Sequence, residues 1–180
     1  LFVFILFPTI YIIILAVASI QPIKKVSTDF QQSYLRFLIC IPAHDEESVI
    51  GFTVKQLQEL DYPKEYYSVC IVADHCSDNT AESARQAGAI VYERQEGPRT
   101  GKGAALSWLF QKTLGQDDCD VVAVFDADTR VDRNFLRVMN DQFLKGDQVV
   151  QGQHIISNPD QGWFPGLTWA MFIVDNRFQN

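Results

Sequence analysis

The chain has 180 residues, with 15 Lys and Arg against 22 Asp and Glu, a formal net charge of -7. That length suits one domain with a real core, and the acidic balance argues against nucleic acid as a partner, because phosphate backbones are bound by surplus Lys and Arg. A small phosphate ligand stays open, since a bound divalent cation reverses the sign of a local site.

Residues 1–20, "LFVFILFPTIYIIILAVASI", contain no charged side chain. As a helix they reach about 30 Å, the thickness of a bilayer core. Pro8 is tolerable in such a helix, and no n-region or cleavage pattern makes it a signal peptide. The run therefore predicts a transmembrane helix. Lys24 and Lys25 follow it and place the rest of the chain in the cytoplasm. The chain starts without Met at the edge of this run, as expected of a fragment. Residues 21–35 read as a polar linker.

From residue 36 the pattern is short apolar run, turn, helix, repeated. Strands are predicted at 36–41, 67–73, 89–93 and 120–125, and another at 148–156. Helices are predicted at 46–60, 78–88, 101–114 and 133–144, the first on the spacing of Val49, Ile50, Val54 and Leu57. Strands alternating with helices imply an α/β fold, a mostly parallel sheet flanked by helices on both faces. Ligands in such sheets bind beyond the carboxyl ends of the strands. The cysteines, Cys40, Cys70, Cys76 and Cys119, form no CxxC pair and read as free thiols.

The loops after the strands hold the unusual residues. "PAHDEE" (42–47) crowds His44, Asp45, Glu46 and Glu47 at a helix start, where acidic N-capping is a sufficient explanation. "ADHCSDNT" (73–80) puts Asp74 at a strand end, where it can accept hydrogen bonds from a base or ribose. Asp78 can cap the next helix, and the neighbours His75 and Cys76 fall short of a zinc site in ligand count and spacing. "RQEGPRTGKGAAL" (94–106) sets Gly97, Gly101 and Gly103 at a helix start beside Arg94, Arg99 and Lys102. That favours an anion, although the pattern is not a P-loop. In "VVAVFDADTRV" (121–131), Asp126 and Asp128 face the same side if the segment is extended. They either form an acidic turn or share a hard cation such as Mn2+ or Mg2+. Together the loops suit a ligand with a nucleoside, a pyrophosphate and a metal.

In this order, "IPAHDEE", "IVADHCSDNTA", "GKGAAL" and "VFDADTRV" resemble an inverting family 2 glycosyltransferase of GT-A (Rossmann-like) fold, over roughly residues 36–156. Asp45 stands where that family usually has Asn, and Ala73, His75 and Cys76 depart from its Asp-Asp-Gly-Ser pattern. The resemblance implies a membrane-anchored, polysaccharide-synthase-like enzyme. It would move a sugar from a nucleotide donor, UDP above all, to a glycan, polysaccharide or lipid acceptor. It also implies that Pro42, Ala43, Glu46 and Asp74 line the nucleoside pocket. Lys102 faces the diphosphate, and Asp126 and Asp128 form the DxD motif that holds Mn2+ or Mg2+, with Asp128 the favoured direct ligand and Asp126 also among the nucleotide-sugar-binding residues. The metal then stabilises the departing nucleoside diphosphate as a Lewis acid.

The family's general base is expected beyond residue 180, so the domain at 36–180 reads as incomplete at its C-terminus and poor in transfer. The aromatic tail at 162–178 reads as acceptor-side core, with an interfacial helix beside the membrane as the alternative. Two alternatives stay open. One is a sugar nucleotidyltransferase, which would carry a glycine-rich loop where "PAHDEE" stands. The other is a catalytically inactive, membrane-tethered nucleotide-sugar-binding protein.

Overall fold

The computed structural model describes residues 10, 33–115 and 119–152, nearly all within one compact unit, Asp29–Gln148. Apart from Ile10 and residues 33–35, the expected membrane span at 1–20 and linker at 21–35 lie outside the described residues, as does the tail at 162–178. Among the described residues, no helix is long and apolar enough to cross a membrane.

The elements run β1 (Phe37–Ala43), α1 (Glu47–Leu57), a 3-10 turn (Lys64–Tyr66), β2 (Tyr67–Asp74), α2 (Thr80–Gln86), β3 (Ile90–Arg94), α3 (Lys102–Thr113), β4 (Val121–Val124) and α4 (Phe135–Leu144). The four strands form one parallel sheet in the order β3-β2-β1-β4. Every strand and helix expected between residues 36 and 144 is present, shifted by at most a few residues at its ends. The strand expected at 148–156 is not formed over 148–152, and 153–156 lie outside the described residues. A strand needs a ladder partner as well as an apolar run, and the pattern of one segment carries no information about its partner.

β1 is buried along its whole length, as expected of a central parallel strand covered on both faces. Leu38 and Cys40 point to one face with Cys70 and Val72 of β2, and that layer packs against Ala105 and Leu109 of α3. Phe37, Ile39 and Ile41 alternate with them and are equally buried. On α1, Ile50, Val54 and Leu57 recur at helical spacing and are buried too. All four cysteines are free. Burial, with Cys70 and Cys119 close by, pushes the Cys40 thiol up to about 12, so it packs as a small hydrophobe and stays unreactive.

Leu109 is fully buried in this layer. Leu109→Ala should lower unfolding free energy by about 2–5 kcal/mol in urea titration. A loss below about 1 kcal/mol would mean that α3 is not seated on β1 and β2.

The strand order positions the site. The chain moves from β1 outward through β2 to β3, then returns to place β4 on the other side of β1. The point of reversal, between the carboxyl ends of β1 and β4, is where open α/β sheets leave a crevice. Here the crevice opens early. The β1–β4 ladder stops at Cys40↔Val124, while the β1–β2 ladder runs on to Ala43↔Ala73. Pro42 lies just past that stop and has no N–H to extend the pairing.

Candidate functional site

The first two loops are stitched into one body. Glu46 is the N-cap of α1 but makes no side-chain cap of its own. Its N–H donates to the Thr80 hydroxyl at 2.8 Å, and the Glu47 N–H donates to the Asp78 carboxylate at 3.1 Å. In return the Glu47 carboxylate accepts the Asn79 N–H at 3.1 Å and the Asn79 amide at 3.2 Å. The starts of α1 and α2 thus cap each other across the sheet edge.

Asp45, expected as a local cap, does something else. It adopts a left-handed conformation, φ 51°, and accepts the Ser77 N–H at 2.7 Å. That backbone bond holds its carboxyl below the usual range, against the opposing effect of desolvation. Spacing could not reveal this, because the partner lies 32 residues away.

Asp74 is the last residue of β2 and is almost fully buried. Directly across the β2–β3 ladder stands Arg94, whose Nη1 donates to Asp74 Oδ1 at 2.5 Å. His75, also left-handed at φ 54°, places Nδ1 2.9 Å from the same oxygen and Nε2 2.9 Å from the Gly97 carbonyl. Both ring nitrogens thus lie within hydrogen-bond reach of an oxygen on a neighbouring segment. Burial raises the Asp74 carboxyl, but the bonds and charges of His75 and Arg94 outweigh it and leave the group below its ordinary value. Asp74 is therefore a fixed carboxylate. His75, Arg94 and the Arg94–Pro98 carbonyl bond at 3.0 Å tie it to the β3–α3 loop. The sequence reading placed Arg94 only near that glycine loop; the adjacency of β2 and β3, which no local pattern encodes, turns it onto Asp74.

α3 opens without a side-chain cap, at Gly101 with φ 109°, a conformation that favours glycine. A Cβ added at Gly101 or Gly103 would meet nothing within 4 Å, so this N-terminus faces open space. Lys102 reaches from it to Asp126, Nζ to Oδ1 at 2.7 Å.

Asp126 and Asp128 do not sit on an extended strand. β4 ends at Val124, and residues 127 and 128 form a turn. The Thr129 N–H donates to the Asp126 carbonyl at 3.1 Å, and the Asp126 N–H donates to the Thr129 hydroxyl at 3.2 Å. The Thr53 hydroxyl holds the Ala127 carbonyl at 2.6 Å. The outcome still resembles alternation: Ala127 is buried between two exposed aspartates. Two exposed carboxylates beside an open helix N-terminus form a donor set suited to a hard cation and a phosphate together.

His44, Asp45 and Cys76 also bring ligand atoms within 4.8 Å of one another. They satisfy one another or nearby carbonyls without an ion. His44 Nδ1 lies 2.7 Å from the Asp74 carbonyl and Nε2 lies 3.5 Å from Asp45. Burial keeps the Cys76 thiol protonated, above its usual range, and the thiol donates toward the Ala43 carbonyl at 3.6 Å.

The structure thus brings Pro42, Ala43, Glu46 and Asp74 to the ends of β1 and β2, and joins Lys102 to Asp126 next to Asp128. A sequence profile described as Glycosyl transferase family 2 matches residues 38–179. The chain belongs to that family. A beta-monoglucosyldiacylglycerol synthase of Synechocystis sp. is 38% identical over 109 residues, 58% of this chain and 22% of that protein. The protein of the same name from Trichormus variabilis is 31% identical over 147 residues, 78% of this chain and 31% of that one. The family 2 chain therefore spans less than a third of the length of these relatives. Among solved structures, the mannosyltransferase PcManGT from Pyrobaculum calidifontis, in complex with GDP-Man and Mn2+, overlays with a TM-score of 0.61. Its identity is 21%, and the match covers 86% of this chain and 44% of that one. That likeness establishes the fold.

Proposed function

We propose that this domain binds a nucleoside diphosphate sugar with a divalent cation and transfers the sugar, with inversion, to a glycan or lipid acceptor. The observation that carries the reading is the meeting of three groups at one sheet edge. These are a buried Asp74 paired with Arg94, an uncapped α3 N-terminus bearing Lys102, and the exposed pair Asp126 and Asp128. Asp74 accepts a hydrogen bond from an N–H edge of the base, uracil in the favoured donor. Pro42 and Ala43 form the floor on which the nucleoside lies. The α3 amides and Lys102 receive the diphosphate. Asp126 and Asp128 hold Mn2+ or Mg2+, which supplies Lewis-acid stabilisation of the leaving diphosphate. The stitched β1 and β2 loops keep these groups in place before the donor arrives, which lowers the ordering cost of binding. Glu46, with its backbone tied to Thr80, closes the pocket at the start of α1.

The names of the two cyanobacterial relatives specify a diacylglycerol product, which supports a lipid acceptor here. Residues 1–20 would then hold the domain at a cytoplasmic membrane surface. The test of the donor reading is calorimetric titration of UDP, with GDP for comparison, with and without Mn2+. Binding of UDP that strengthens with Mn2+ is expected. Absence of UDP binding under both conditions would overturn the donor site.

A further inference from the structure

Lys102 is badly placed for a helix start. It is the first residue of α3, where the dipole and free N–H groups favour anions, and the first turn carries no acid. Lysine there adds positive charge to positive potential. Local rules are broken in this way where a ligand restores the balance. In this structure the balance comes from Asp126, held at 2.7 Å by a lysine whose side chain is 66% exposed. Asp128, one residue beyond the buried Ala127, has no ion-pair partner among the described residues.

We infer that Lys102 is a placeholder cation. It occupies Asp126 when the site is empty and moves to the diphosphate when the donor binds, so that Asp126 becomes a metal ligand only as the nucleotide arrives. The inference rests on the donor reading above and goes beyond it, because it fixes the order of events. Two attractions compete for one ammonium group. Asp126 offers a single carboxylate in solvent, a weak and screened pairing. A diphosphate at the α3 N-terminus offers more negative charge, with the helix amides behind it. Lys102 therefore leaves Asp126 for the diphosphate and not for solvent. A metal ion alone has to compete with the ammonium group for Asp126 and also feels its repulsion. A metal accompanied by nucleotide meets an aspartate that has just been vacated. Metal affinity and nucleotide affinity are consequently coupled through one side chain, and the coupling is reciprocal.

Lys102→Gln separates the two roles, with opposite signs. Mn2+ binding without nucleotide, read by electron paramagnetic resonance of the free ion, should become about twofold to fivefold tighter than in the unaltered protein. UDP binding without metal should become about tenfold weaker, as expected for the loss of one charge-assisted bond. Lys102→Arg retains the charge and should restore weak metal binding, which a purely structural effect of the residue would not do. Unchanged or weaker metal binding in Lys102→Gln, in a protein that still binds Mn2+ and UDP together, overturns the placeholder. If the unaltered protein binds neither UDP nor Mn2+ with UDP, the donor reading fails instead.

Discussion

Arg94→Met should lower folding stability by about 3 kcal/mol near neutral pH, the lower end of the range for breaking a buried ion pair from one side. Asp74 and Arg94 are 6% and 7% exposed at their side chains. Methionine preserves much of the stem's volume and removes the guanidinium, so the Asp74 carboxylate stays buried with only His75 beside it. The lower end is chosen because Arg94 Nε is itself buried without a hydrogen-bond partner, and removing it relieves that cost. The effect should depend on pH with a definite sign. In the folded protein the Asp74 carboxyl lies below its ordinary value. Its stabilising contribution is thus complete above the ordinary carboxylate range and is lost as pH falls through the lowered value. The gap between Arg94→Met and the unaltered protein should therefore narrow on going from about pH 7 to about pH 3. Urea titrations at the two pH values measure it. The double variant with Asp74→Asn should lose less than the sum of the single losses, because no uncompensated charge remains. A loss below about 1 kcal/mol at neutral pH, or an equal gap at both values, would contradict the buried pair.

The pair also marks where reading the sequence stops. The strands expected at 36–41 and 67–73 were legible because apolar runs such as 37–41 and 69–73 belong to strands covered on both faces, although β1 continues through Pro42 and Ala43, which read as loop in the sequence. α1 was legible because Ile50, Val54 and Leu57 keep helical spacing. The acidic and glycine-rich loops were legible as loops, and their position at strand ends followed from the α/β pattern alone. Which strands adjoin one another was not legible. That information decides that Arg94 meets Asp74 and that His75 spans from Asp74 to the Gly97 carbonyl. Both His75 nitrogens take part in those contacts. Asp45 and Thr80 illustrate the same limit. Asp45 looked like a residue of its own helix start, whereas it bonds across to the other loop, and the Thr80 hydroxyl does so in the opposite direction. The aspartates of "FDADT" were recognisable as a candidate cation pair. The turn that presents them was not, because it depends on Thr129 closing on Asp126 and on Thr53 holding the Ala127 carbonyl from α1.

Asp128→Ala should remove the metal-dependent part of UDP binding, weakening Mn2+-supported affinity by about 100-fold or more. Losing groups that merely orient a metal ligand already costs about 10–100-fold, and Asp128 is proposed as a ligand itself. The fold should not suffer. Asp128 is exposed in a turn held by backbone and Thr129 contacts, and replacing such a residue changes stability by about 0.5 kcal/mol or less. Binding of UDP without metal should persist, because Asp74 and the α3 N-terminus are untouched. That residual binding separates Asp128→Ala from Asp74→Ala, which removes a carboxylate proposed to meet the base and should weaken UDP with and without Mn2+ alike. It also separates Asp128→Ala from Asp126→Ala, which frees Lys102 and so alters the diphosphate end as well. Calorimetry on the three variants, each with and without Mn2+, distinguishes a base contact, a metal contact and a residue shared between metal and lysine. If Asp128→Ala bound UDP in the presence of Mn2+ as tightly as the unaltered protein, the acidic turn would be a turn and nothing more, and the cation would have to be held elsewhere.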